Sequence, residues 1–219
     1  MGRAAAEARP LPVTARGQRT RQKLIDAAEH VFGGAGYHQA GIAEITQRAG
    51  VGLGTFYLYF PDKHAIFADL VRTLNHRLRA HIQAAIADLD DRVDQEIAGF
   101  EAFFAFLEDH RNLYQVIRQA ESVDPSLHRW HYETLAKGYI KGLRSAQGQG
   151  QISRDLDPEG VAFALMGMAE AFGMRWVHWD NRRPSAAARR SLKLLIERGL
   201  RPGRAAGPGF AGPGRASLK

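Results

Sequence analysis

The chain has 219 residues, 45% of them apolar and 24% charged, a length that allows one or two domains and a real hydrophobic core. It has no cysteine, which excludes disulfides, thiolate zinc sites, iron–sulfur clusters and cysteine nucleophiles and fits an intracellular protein. The formal charge is +7, yet residues 1–63 carry +3, 64–157 carry −3 and 158–219 carry +7, so bulk charge by itself is weak support for nucleic-acid binding.

No targeting or membrane segment is expected. The first 17 residues hold arginines but no apolar h-region. The longest uncharged apolar stretch, 161–169, is far shorter than the roughly 20 residues of a spanning helix. A cytoplasmic protein follows as the expectation. Residues 1–16 read as a disordered basic arm with Arg3, Arg9 and Arg16, and the Gly/Pro-rich run 202–219 as a disordered tail.

Between these ends the periodicity predicts helices and no strand, an all-α fold of about nine helices. The first spans about 19–32, with Leu24, Ala28, Val31 and Phe32 on one face and Gly33, Gly34 and Gly36 as its end. Short helices at 42–49 and 53–60 follow, separated by Gly50. Pro61 ends the third, and Asp62 is placed to cap a long fourth helix over about 63–89. Its seam is Ile66, Leu70, Leu74, Leu78, Ile82, Ile86 and Leu89. Further helices are expected at 92–109, 112–121, 125–147, 158–180 and 185–200. Asp124-Pro125 and Asp157-Pro158 mark two of the starts, an N-cap acceptor followed by Pro at the first helical position.

Residues 42–60 read as a helix-turn-helix, with Gly50 supplying the left-handed turn and Ile45, Val51, Phe56 and Phe60 closing a small core. On a wheel of 100° per residue, Phe56 and Phe60 face inward and Gly54 and Leu58 point away. Tyr57 and Leu58 are wasteful on a short surface helix unless something covers them, and the DNA major groove admits a helix. Candidate DNA contacts are Leu53 and Gly54 at the helix start, Thr55, Tyr57 and Tyr59 as phosphate-binding hydroxyls, Leu58 against a thymine methyl, Lys63 at a phosphate, and Arg19 on helix one with Arg16 and Arg21.

The run from Gly50 to Lys63, Gly-Val-Gly-Leu-Gly-Thr-Phe-Tyr-Leu-Tyr-Phe-Pro-Asp-Lys, resembles the DNA-binding signature of TetR-family (tetracycline-repressor-like) regulators, roughly A-G-V-S-x-G-T-[LF]-Y-x-[HY]-F-x-[SND]-K. The resemblance extends over about residues 18–67. Gly41, Ala43, Thr46 and Gly52 depart from the pattern, which bears on phosphate contacts from helix two rather than on the fold.

The resemblance implies a head at 17–63 and a ligand-binding, dimerising domain at 64–201. Small residues Ala164, Gly167 and Ala171, with Met174 and with Leu192, Leu195 and Ile196 of the last helix, form a candidate four-helix dimer interface. The aromatic-rich middle offers candidate ligand contacts: Phe103, Phe104, Leu107, Tyr114, Trp130, Tyr139, Met168, Phe172 and Trp176. The same stripes at helical spacing equally describe plain core. Glu170, Arg175 and His178 are possible polar anchors.

No catalytic constellation, cofactor motif or metal site is found. His128 and His131 lack a third ligand, and Gly50-x-Gly52-x-Gly54 lacks a preceding strand. The expectation is a homodimeric regulator, a repressor that leaves a pseudo-palindromic operator in double-stranded DNA when a small apolar or cationic ligand binds, with helix four as the lever. A DNA-binding dimer without a ligand, and a helical enzyme with a DNA-binding head, are the alternatives.

Overall fold

A computed structural model describes residues 14–202. The expected basic arm, apart from residues 14–16, and all but the first residue of the expected tail lie outside them. The described residues are helical and contain no strand: α1 (Ala15–Gln39), α2 (Ile42–Ala49), α3 (Leu53–Tyr59), α4 (Lys63–Ile86), α5 (Arg92–Asp109), α6 (Leu113–Val123), α7 (Pro125–Gly148), α8 (Pro158–Phe172), which continues as a π-helical stretch over Gly173–Trp179, and α9 (Ala186–Leu200).

The start signals behave as read. Asp62, Asp124 and Asp157 each accept a hydrogen bond from the backbone N–H three residues on, at 2.7, 3.0 and 2.6 Å. That satisfies one of the orphan donors of each helix. The α1 end differs from expectation. The helix runs through Gly33 and Gly34 and breaks at Gly36, at φ 80° and ψ 158°, a conformation only glycine adopts readily. Asn112, at the start of α6, packs on Gly33, where a Cβ would overlap its side chain, whereas a Cβ on Gly34 would meet nothing.

Two hydrophobic clusters hold the molecule together. One joins the head to the near part of the body through Leu24, Phe32, Ile45, Phe56, Ile66, Phe67, Leu74, Leu113 and Ile117. The other closes the far end with Val93, Phe100, Phe104, Leu143, Leu165 and Ile196. On the α4 seam Ile66, Leu70, Leu74 and Leu78 are buried, and Leu78, Ile82 and Ile86 line a space between the clusters.

The charge asymmetry of the chain also finds its place. Arg183, Arg189 and Arg201, near or on α9, reach Glu108, Glu101 and Asp91 at 2.6, 3.3 and 2.7 Å. The basic C-terminal part thus lies on the acidic middle. Such exposed pairs contribute little stability each.

Candidate nucleic-acid interface and cavity

The turn between α2 and α3 is a Schellman motif. Gly50, at φ 67°, donates to the Gln47 carbonyl and Val51 to that of Thr46, at 3.1 and 3.0 Å. Thr46, where the signature carries alanine, is buried, and its hydroxyl is satisfied by the Ala43 carbonyl at 2.9 Å. Ile45, Phe56 and Phe60 are buried as expected and set the α3 orientation.

That orientation leaves Leu53, Tyr57 and Leu58 at 51%, 44% and 70% exposure. With Gly54, also exposed, they form one outward face on a seven-residue helix. Thr55 is half-buried beside it. Arg16 and Arg19 are exposed on the first turns of α1.

Three expected contacts are otherwise employed. Lys63 donates from Nζ to the carbonyls of Tyr37, His38 and Ala40 at 2.8, 3.2 and 3.0 Å and lies over the Tyr37 ring. An ammonium has three donors, so in this arrangement Lys63 closes the C-terminal end of α1 rather than holding a phosphate. Tyr59 is half-buried against the head core. Arg21 pairs with Asp69 of α4 and stacks toward the Phe60 ring. Burial raises the Asp69 carboxyl above its usual range, against the pull of Arg21.

In the body, a cavity of about 630 Å³ separates the two hydrophobic clusters. It lies within the size range of small-molecule sites. Helices α4 to α8 line it, and exposed His76, Arg79 and Gln83 of α4 stand among its walls. Of the candidate ligand residues, Phe103, Tyr114 and Tyr139 reach it. Phe104 and Leu107 do not: both are fully buried, Phe104 stacked near Phe172 and Leu107 in the near core. Met168 and Phe172 pack on the far cluster. Trp176 sits on Phe172, 4.7 Å between ring centroids, and Trp130 packs against the near core under Arg72. Helical spacing gives the face of a residue, and which neighbour that face meets is a tertiary matter.

Sequence reasoning missed the α4 contribution, although Ile82 and Ile86 belong to the seam already named. It also missed the polar walls. Tyr114 donates to the Glu170 carbonyl at 2.7 Å, and Tyr132 donates to the Glu170 carboxylate. Burial and then the Glu170 charge push both phenols well above their ordinary range. His131, buried among them, accepts at Nδ1 from Asn75 Nδ2 at 3.2 Å; burial, then His128, pushes it down to about 4. At the other end Arg92 pairs with Glu96, which accepts from Tyr139. Of the expected anchors, Glu170 lines the cavity, Arg175 pairs with Asp180 at 2.5 Å, and His178 faces Gln115 and the Tyr114 ring. Among the described residues no group of three or more His, Asp or Glu could hold a metal, and no helix is long and apolar enough to cross a membrane.

The small stripe lies open on α8: Ala164, Gly167 and Ala171 are exposed. A Cβ on Gly167 would meet nothing. Leu195 is exposed too, but Leu192 and Ile196 are buried inside the subunit and Met174 packs on its core. Leu192 and Ile196 therefore turn α9 inward. Phe163, Leu194 and Trp179 are further large apolar residues that lie exposed.

Residues 24–70 match the model for bacterial regulatory proteins of the tetR family. The head carries the tetR-family DNA-binding domain. The chain is a DNA-binding transcriptional regulator, similar to the HTH-type transcriptional regulator YdgC of Bacillus subtilis, with 28% identity over 83% of this chain and 93% of that protein. The fatty acid metabolism regulator protein of Bacillus subtilis is 26% identical over 81% and 94%. Among solved structures, the fatty acid degradation regulator FadR of Bacillus halodurans has a TM-score of 0.73 at 22% identity, covering 81% of this chain and 94% of its own. FadR of Bacillus subtilis, solved with stearoyl-CoA, has a TM-score of 0.71 at 22% identity, covering 80% and 96%. At these identities the structural likeness shows the fold.

Proposed function

We propose that this regulator works as a homodimeric repressor whose hold on its operator is released by a small molecule in the α4–α8 cavity. Residues 17–63 act as the DNA-binding unit and 64–201 as the ligand-binding and dimerisation unit. Each subunit lays the Leu53–Gly54–Tyr57–Leu58 face of α3 in a major groove, with Thr55 and Arg19 at its margins. The exposed Ala164, Gly167, Ala171 and Leu195 meet their symmetry mates in a helical interface. Half-site centres then lie about one helical turn, ~34–36 Å, apart, or a multiple.

One observation carries the ligand reading: α4 belongs to both halves. Ile66 and Phe67 are in the head core, while Ile82 and Ile86 of the same helix line the 630 Å³ cavity. A ligand that favours one α4 position shifts the spacing of the two α3 helices by its differential affinity for the two states. That two of the similar proteins are fatty acid regulators, one solved with an acyl-CoA, supports a long apolar ligand body. A gel-shift on the DNA flanking the protein's own gene, with and without long-chain acyl compounds, tests this. A retarded band that no ligand class dissociates would favour a DNA-binding dimer without an effector.

A further inference from the structure

The charged groups around the cavity are satisfied within the protein, with one exception. Arg92 and Glu96 pair with each other, so their charges cancel inside the wall, and Arg92 Nε and Glu96 Oε1 are sealed among neighbouring side chains. His131 accepts from Asn75 at Nδ1 and stays neutral, since burial disfavours its cation. Arg79 is exposed on α4, where its Nε donates to Asn75 Oδ1 at 2.9 Å.

Glu170 is the exception. It lines the cavity with Met166 and Ala169, which share its face of α8 by their spacing of three and four residues, while Ala164, Gly167 and Ala171 look outward. The Tyr132 hydroxyl donates to Oε1 and fixes the carboxylate. Oε2 has no hydrogen-bond partner among the described residues, and unlike the two sealed atoms it keeps open surface. The cations that follow it in sequence are engaged elsewhere: Arg175 pairs with Asp180, and His178 faces Gln115. Around this carboxylate the wall is aromatic, with Phe100, Phe103, Tyr114, Tyr132 and Tyr139.

That combination discriminates by charge. A ligand that fills the cavity displaces water from Oε2. A neutral ligand then strands a carboxylate against apolar groups, and an anion is repelled by it, each at a cost. A cation with an N–H replaces the water by a charge-assisted hydrogen bond. Aromatic ring faces within about 6 Å favour a cation as well.

We propose that the cavity takes a lipophilic amine, protonated at neutral pH, whose ammonium N–H donates to Glu170 Oε2 while its apolar body lies among Ile82, Ile86, Phe103 and Leu135. This rests on the reading of the cavity as the effector site and adds to it the charge of the head group. Tyr132 is a positioning residue: it aims the carboxylate and supplies no charge.

The test is calorimetric titration of the full chain at neutral pH with decylamine, decanol and sodium decanoate, which share one chain length and differ in head-group charge. Decylamine is expected to bind about tenfold or more tighter than decanol, and decanoate weaker than either. Glu170→Gln keeps the size of the side chain and an acceptor for Tyr132 but removes the charge, and the amine is then expected to lose its advantage over the alcohol. A crystal structure of the wild-type complex with decylamine, which needs no variant, should place the nitrogen at hydrogen-bond distance from Glu170 Oε2. Equal affinity for amine and alcohol, an advantage that survives Glu170→Gln, or a nitrogen seated away from Glu170 overturns the proposal and leaves the cavity reading standing. Tighter binding of decanoate than of decylamine, or binding of none of the three, overturns it too. The cavity reading fails separately, if Gly138→Trp in the wall leaves the binding of all three probes unchanged.

Discussion

Gln119 of α6 spans the break in α1: its Oε1 accepts from the Tyr37 N–H at 2.5 Å while its Nε2 donates to the Phe32 carbonyl at 3.0 Å. The Gly36 kink interrupts the helical hydrogen-bond ladder here, and Gln119 supplies an acceptor and a donor on its two sides. Because α6 also sends Leu113, Tyr114 and Ile117 to the cavity, one helix touches the ligand space and the last turn of the first DNA-binding helix. Glu29 and His110, 2.9 Å apart, form a second such contact, between α1 and the residue closing α5.

Gln119→Leu should remove both hydrogen bonds at little change in volume. The loss expected is about 1–3 kcal/mol in urea unfolding, mostly from the stranded backbone groups. Operator release by ligand should weaken in the same variant. Full stability with unchanged release would show that the bridge carries nothing.

Lys63→Met is expected to act on stability rather than on salt dependence. Its three donors hold α1 carbonyls, so the melting temperature should fall. The slope of log affinity against log salt should stay as it is. A phosphate contact would instead reduce that slope by about 0.9, and this measurement separates the two roles.

Leu58→Ala and Tyr57→Phe lie on the exposed face of α3. Unfolding free energy should change by no more than about 0.5 kcal/mol, while operator affinity drops in a gel-shift titration. Leu58→Ala should weaken the cognate sequence more than a scrambled one. Tyr57→Phe should weaken both alike, as a phosphate contact would.

Acid should destabilise the body through His131. It titrates near 6.5 when unfolded and near 4 in the fold, where burial disfavours the cation. Between those values the unfolded chain holds the extra proton, so stability falls as the pH is lowered from 6.5 to 4 and is insensitive to this group above 6.5. The full effect is about 3 kcal/mol. His131→Asn, compared with wild type in urea at pH 7 and pH 4.5, should show the smaller loss.

Gly167→Leu introduces bulk where a Cβ meets nothing within the subunit. The fold should tolerate it, as judged by circular dichroism. Sedimentation at micromolar concentration should nevertheless show monomer if the α8 face joins two copies. A dimer of wild-type affinity would place the interface elsewhere.

The local rules of the chain were enough to determine the helices, their caps and the head. Asp-Pro starts, the Gly50 turn and the Phe56–Phe60 spacing act within a few residues, so α2, α3 and the starts of α4, α7 and α8 are legible from residue order alone. The end of α1 was not, because Gly33, inside the helix, packs on Asn112 and Gly36 breaks it where Gln119 bridges the gap, both partners about 80 residues away. The body shows the same limit. Periodicity told which face of α4, α5 and α8 is apolar, and could not tell Ile82, at a cavity wall, from Leu74, buried away from it on the same seam. Nor could it tell Phe103, at the cavity, from Phe104, in the core. An apolar side chain loses contact with water equally well against a packed neighbour or a ligand space. Only the crossing of five helices decides where two hydrophobic clusters fail to meet and leave a cavity between them.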